Sequence, residues 1–219
     1  MEYAFFNIND FSDEMTRKYY PMLTPVRQKK LLELEDAHER AVLFCAEICA
    51  RQCLAREFCA PEYSFNLLVN PNSSSVVSNY SAAVCILSDG DVIGCAVDRQ
   101  TCGIGMCKIQ PFEFKEAQEI CSDREMRDLF SFSAYSFTEN VCRKTCDEPE
   151  VIERFALYKS LKDAYFKASG RAIKTDFRYA DFDISTDKIT CSDSFFTVAV
   201  HEYHKTDGYV LCVLTKSKS

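Results

Sequence analysis

No apolar run in this sequence extends beyond a few residues, so no segment has the roughly 20-residue length needed to cross a bilayer as a helix. The opening residues, MEYAFFNINDFSDE, lack a basic region followed by an apolar one, which sets the expectation of a cytoplasmic protein without a secretory leader. Positive charge is in deficit: the net charge is −7 and the pI near 5.1. A broad surface for nucleic acid or an anionic membrane is therefore not expected, and any bound anion must be caught by a local basic cluster. Tryptophan is absent, and the only three histidines are His38, His201 and His204. The 13 cysteines are numerous but unframed. No pair is spaced C-x-x-C, and Cys142 and Cys146 have no histidine nearby in sequence, so a zinc site is not the reading. Cys102-Gly-Ile-Gly-Met lacks the third glycine and the following helix of a dinucleotide loop.

What the chain does have is the composition of an ordinary globular protein, with 47% hydrophobic and 27% charged residues in 219. Tyr3 to Ile8 read as a first strand. Thr24 and Pro25 form an N-cap and first helical residue for a segment carrying Arg27, Lys29 and Lys30, whose plain reading is a solvated basic face. A longer helix runs from about Glu35 to Cys59. In it Cys45, Cys49 and Cys53 recur every four residues as small buried hydrophobes of a reduced protein. Arg40 is placed either to bind phosphate or to pair with Asp36, four residues back. Residues 61–81 are loop-like, and a hairpin follows: Ala82 to Ser88, a turn at Asp89-Gly90, and Val92 to Asp98.

Phe112 to Phe130 read as a helix with Asp123-Arg-Glu125 inside or beside it, and Phe130 to Cys146 as loop. Pro149 opens and Gly170 closes a helix over Glu150–Gly170, with Val151, Phe155, Tyr158, Tyr165 and Ala168 as its apolar stripe. On another face Lys159, Asp163 and Lys167 stand four residues apart, with Lys162 beside them; the plain reading is an exposed charged ladder. Strand-like runs at Asp181–Ser185, Lys188–Cys191, Phe195–His201 and Tyr209–Thr215 complete the chain, the last entered by a turn at Asp207-Gly208.

The order Ser160-Leu-Lys162-Asp163-Ala-Tyr-Phe-Lys167 resembles the W-(S/T)-x-K-E-A-x-x-K signature of 4′-phosphopantetheinyl transferases of the broad-specificity, surfactin-synthetase-activating type. Asp163 stands where that family has Glu, and Lys159 where it has Trp. Ala96-Val-Asp98-Arg-Gln100 is similar to the family's G-(I/V)-D-x-E metal strand, with Gln100 in place of the Glu. Leu23-Thr-Pro25-Val-Arg27-Gln-Lys-Lys30 resembles its basic opening helix. At the family's S-H-S-G phosphate loop this chain has Ser78 or Asn79 and no histidine.

The resemblance implies an α+β fold of two similar halves related by a pseudo-twofold, each a long helix on a small antiparallel sheet. The halves would be residues 1–98 and 99–219, with the site at their interface. It implies transfer of the 4′-phosphopantetheine arm of coenzyme A to a serine of an acyl or peptidyl carrier protein, as used in fatty acid, polyketide and nonribosomal peptide biosynthesis. Mg²⁺ would be held by Asp98, Asp163 and, more weakly, Gln100. Asp163, Lys162 and Lys167 would be the catalytic residues, and Arg27, Lys30, Arg40, Ser78 and Asn79 would bind the coenzyme. Lys159, Arg171 and Lys174 would meet the acidic carrier protein, and the chain would act as a monomer. The alternative implied by the departures is a weak or inactive relative that binds coenzyme A or a carrier protein without transfer.

Overall fold

The computed structural model describes residues 1–69, 74–77, 79–130, 146–171, 177–186 and 188–217. The fold is α+β with antiparallel sheets, and the chain divides into two compact units, Met1–Cys102 and Gly103–Ser219.

The first unit opens with β1 (Glu2–Asn7) and then packs three helices: α1 (Asp13–Tyr19), α2 (Pro25–Glu33) and α3 (Ala37–Phe58). β2 (Leu67–Leu68), β3 (Ser74–Val77), β4 (Ala83–Asp89) and β5 (Val92–Asp98) follow. The five strands form one sheet in the order β1-β5-β4-β3-β2, and its neighbours are antiparallel. The β4–β5 hairpin is where the alternation and the Asp-Gly turn place it. Asp89 faces Val92, and Gly90 turns the chain with a φ of 55°, a conformation that disfavours a Cβ.

The helix starts follow the caps. The Thr24 hydroxyl accepts the Arg27 N–H at 3.3 Å, and Asp36 Oδ1 accepts the His38 and Glu39 N–H groups at 2.7 and 3.3 Å. Asp36 is thus a cap and not the partner of Arg40, whose Nη2 donates at 3.4 Å to the Glu35 carbonyl. α3 is buried on two sides. Cys45, Cys49, Cys53 and Leu54 share a core with Ile86, Ile93, Cys95 and Val97 of the sheet, while Leu43, Phe44 and Ile48 pack with Tyr19, Leu23 and Leu31. Burial pushes the Cys45 thiol up to about 12, as suits a hydrophobe and not a nucleophile.

The second unit is built on β6 (Cys102–Lys108), which begins at the unit boundary. The expected single helix over 112–130 is two, α4 (Phe114–Ile120) and α5 (Asp123–Leu129). Ser122 separates them: its hydroxyl caps Glu125 N–H while the Glu125 carboxylate returns to Ser122 N–H, a reciprocal box that starts a new helix. α6 (Pro149–Ser169) starts at Pro149 and leaves through Gly170 at φ 65°. β7 (Phe182–Asp183) pairs with β8 (Thr190–Cys191), and β9 (Phe196–His204) and β10 (Tyr209–Lys216) complete a sheet in the order β6-β10-β9. Phe130 and Cys146, the ends of the loop read over Phe130–Cys146, are buried, and 131–145 between them lie outside the described residues.

The glycines of Cys102-Gly-Ile-Gly-Met have a packing role that their spacing hid. A Cβ on Gly103 would lie 2.0 Å from the Ala164 carbonyl oxygen, and one on Gly105 would lie 1.8 Å from that of Ser160. α6 therefore rests directly on the backbone of β6, and the Ser160 hydroxyl donates to the Gly105 carbonyl at 2.8 Å across that contact. Because the obstructing atoms are main chain, no side chain can move aside. Gly105→Ala should lower the stability of the folded protein by about 3 kcal/mol, read as a lower urea midpoint at unchanged m-value.

Candidate functional site

The signature residues of α6 separate into a sealed group and a solvent-reaching group. Lys162 and Glu125 of α5 are both 0% exposed. Lys162 Nζ lies 2.7 Å from Glu125 Oε2 and donates to the Ala180 carbonyl at 2.7 Å. Glu125 in turn accepts the Phe182 N–H at 2.7 Å and the Ser122 N–H at 2.9 Å. One ion pair thus ties α6, α5 and the chain at 180–182 together. A phosphate role for Lys162 would require it to leave this pair. Glu125 was not among the expected site residues, although Ser122-x-x-Glu125 is legible in the sequence as a capping box.

Asp163 and Lys167 lie on the adjacent face and reach solvent, at 35% and 22% side-chain exposure. Their carboxylate and ammonium are 2.5 Å apart, and Lys167 also donates to the Ile104 carbonyl at 3.1 Å, which anchors the pair to β6. Lys159 does not extend the ladder; it turns to Glu116 of α4 at 2.5 Å. Beyond the helix, the Arg171 guanidinium lies 3.8 Å over the Tyr179 ring, and Lys174 lies outside the described residues.

In the first unit Asp98 ends β5. Its Oδ1 accepts the Gln100 N–H at 2.8 Å, and its Oδ2 is 3.9 Å from the Met1 amino group. Arg99, between them, pairs with Glu57 at 3.0 Å. Arg27 is 4% exposed: its Nε lies 3.0 Å from Glu47 Oε2, and its Nη2 donates to the Val69 carbonyl at 2.7 Å. Arg51 binds the other oxygen of Glu47 at 2.8 Å and donates to the Glu62 and Phe65 carbonyls, both at 3.1 Å. Two guanidiniums therefore share one buried carboxylate and clamp residues 62–69 onto α2 and α3. Lys30, three residues from Arg27, is exposed. Asn79 bridges its own loop, accepting Asn66 N–H at 2.9 Å and donating to the Ser64 carbonyl at 2.6 Å; Ser78 lies outside the described residues.

Among the described residues no group of three or more His, Cys, Asp or Glu side chains is placed to hold a metal ion. The candidate metal ligands are one carboxylate in each unit, Asp98 and Asp163, with the amide oxygen of Gln100. Carboxylate and amide oxygens are the donor type Mg²⁺ takes, with waters and substrate phosphates as its further ligands. No protein-family model matches the chain, and no curated protein matches it.

The sealed pair makes a stability prediction with a sign. Burial raises the Glu125 carboxyl above the usual carboxylate range, and the charge and hydrogen bond of Lys162 oppose that rise. A carboxyl whose pKa is raised on folding holds its proton more tightly in the folded chain. Its contribution is full at low pH and is lost as the pH climbs through the folded-state pKa. Lys162→Met removes the opposing charge, so it should cost about 3–5 kcal/mol at pH 8 and less at pH 5. Adding Glu125→Gln should recover part of the loss at pH 8. Urea denaturation of the three proteins at both pH values checks this.

Proposed function

We propose that the chain transfers the 4′-phosphopantetheine arm of coenzyme A to a serine of an acyl or peptidyl carrier protein. The observation that carries the reading is the Asp163–Lys167 pair, solvent-reaching on successive turns of the helix whose sequence resembles the transferase signature. In this reading the serine oxygen attacks the β-phosphorus of the coenzyme and the bond to the adenosine bisphosphate half breaks. The serine proton passes to Asp163, directly or through water. Lys167, held at its carbonyl anchor, neutralises charge on the transferred phosphate, and exposed Lys30 meets the 3′-phosphate. Mg²⁺, when held by Asp98, Asp163 and Gln100, would neutralise the diphosphate. Lys162 acts in this scheme through the position it gives to α6. The two units would be the similar halves of the family fold, which is supported by each resting one long helix on an antiparallel sheet. The setting would be cytoplasmic and the active form a monomer.

Asp163 is one methylene shorter than the family's Glu, a reach shorter by roughly 1.5 Å. A misplacement of about 1 Å costs on the order of 100-fold in rate. The sealed state of Lys162 and Arg27 favours a second reading, a relative that binds coenzyme A or a carrier protein without transfer.

Coenzyme A, Mg²⁺ and a panel of apo carrier proteins separate the two. Transfer should appear as the mass gain of the pantetheine arm, be lost in Asp98→Ala and Asp163→Ala, and rise about tenfold in Asp163→Glu. No mass gain with any carrier, together with a coenzyme-dependent rise in melting temperature, would replace transfer with binding.

A further inference from the structure

The first unit carries a groove whose apolar lining the transferase reading does not use, although its Arg40 is among the residues the resemblance assigns to the coenzyme. It is an open cavity of ≈ 380 Å³ between α1, α2 and α3, within the range of about 300–1,000 Å³ usual for small-molecule sites. Its walls are mostly apolar, with the hydroxyl residue Thr16 among them. Phe44 forms the floor, with the Phe11 ring edge-on at 5.3 Å and the Tyr20 ring at 6.3 Å. Leu32, 72% exposed, stands at the rim. Ala41 is small enough to leave the space open.

Among the described residues Arg40 is the one charged residue lining the groove. Among the described residues its hydrogen bond is the 3.4 Å contact to the Glu35 carbonyl, at the far edge of bonding range. A guanidinium has five donors in a fixed fork that matches a carboxylate, so most of its capacity remains for a ligand. The same side chain does not pair with Asp36, whose Oδ1 caps α3.

An apolar trough with a single cation selects a ligand with an apolar body and one anionic end. We propose that this groove binds a medium-length alkyl carboxylate, its chain on Phe11, Tyr20 and Phe44 and its carboxylate on Arg40. The site stands on residues of the first unit alone and does not depend on the transferase reading.

The test uses the intact chain, with decanoate, hexanoate and decanol as probes, followed by calorimetry and by chemical-shift changes in the aromatic rings. Decanoate should bind saturably, and at least tenfold more tightly than hexanoate, because each buried methylene is worth about fourfold in affinity. Arg40→Gln should weaken decanoate about tenfold and leave decanol unchanged, as loss of a charge-assisted bond requires. Ala41→Phe fills the groove and should abolish binding of both. Leu32→Asp, at an exposed position that tolerates the change, should weaken decanoate more than decanol and serves if Ala41→Phe fails to fold. The proposal is overturned if decanoate shows no saturable binding, if Arg40→Gln affects acid and alcohol equally, or if a folded Ala41→Phe protein still binds either probe.

Discussion

Each unit is assembled on a long helix buried on more than one side, and the charged residues within those helices must be neutralised inside the protein. α3 brings Glu47 and Arg51 into the interior at 1% exposure, and α6 brings Lys162 in at 0%. An unpaired charge there would be prohibitive, so each meets an opposite charge, and Arg51 and Lys162 also donate to backbone carbonyls. Glu47 is shared by Arg27 and Arg51, whose remaining donors hold the carbonyls of Glu62, Phe65 and Val69. Lys162 and Glu125 together hold Ser122, Ala180 and Phe182. In both units the ion pairs fix irregular chain against a helix, which apolar packing, being non-directional, does poorly.

This constraint divides the basic residues by role. Arg27 and Lys162 match the family pattern as well as Lys30 and Lys167 do, yet the first two lie in the interior and the last two reach solvent. The division has a geometric cause. Successive helical residues are rotated by about 100°, so Lys162 and Asp163 face different directions although they are adjacent. Lys162 points at α5, whereas Asp163 shares its face with Lys167, four residues on. A chemical role is open to the pair on the outer face, and an architectural one belongs to the inner lysine.

The buried helices also explain the cysteines. A helix packed on a sheet by one side and on other helices by another has little room for large side chains at every core position. Cys45, Cys49 and Cys53 fill that space as small apolar groups. Gly103 and Gly105 take the same logic further, removing the side chain where α6 meets the β6 backbone.

Local features were legible in the sequence. The Thr24-Pro25 cap, the Asp89-Gly90 hairpin, the limits of α6 and the buried cysteine stripe each depend on residues close in the chain, and the structure has all of them. Ser122-x-x-Glu125 was equally local and equally readable, but an apolar pattern running through 112–130 concealed the break. Other features rest on residues distant in sequence. Glu125 meets Lys162 across 37 positions, the Arg27–Val69 contact spans 42, and Gly105 meets Ser160 across 55. Periodicity says that a charged residue lies on a helix, not what stands opposite it. The sequence by itself determined where helices and hairpins begin and end, because caps and turns act over three or four residues. Which lysine is sealed, which carboxylate reaches water and why two glycines stand in β6 were decided by the tertiary structure, because only packing sets the partner and the solvent exposure of each group.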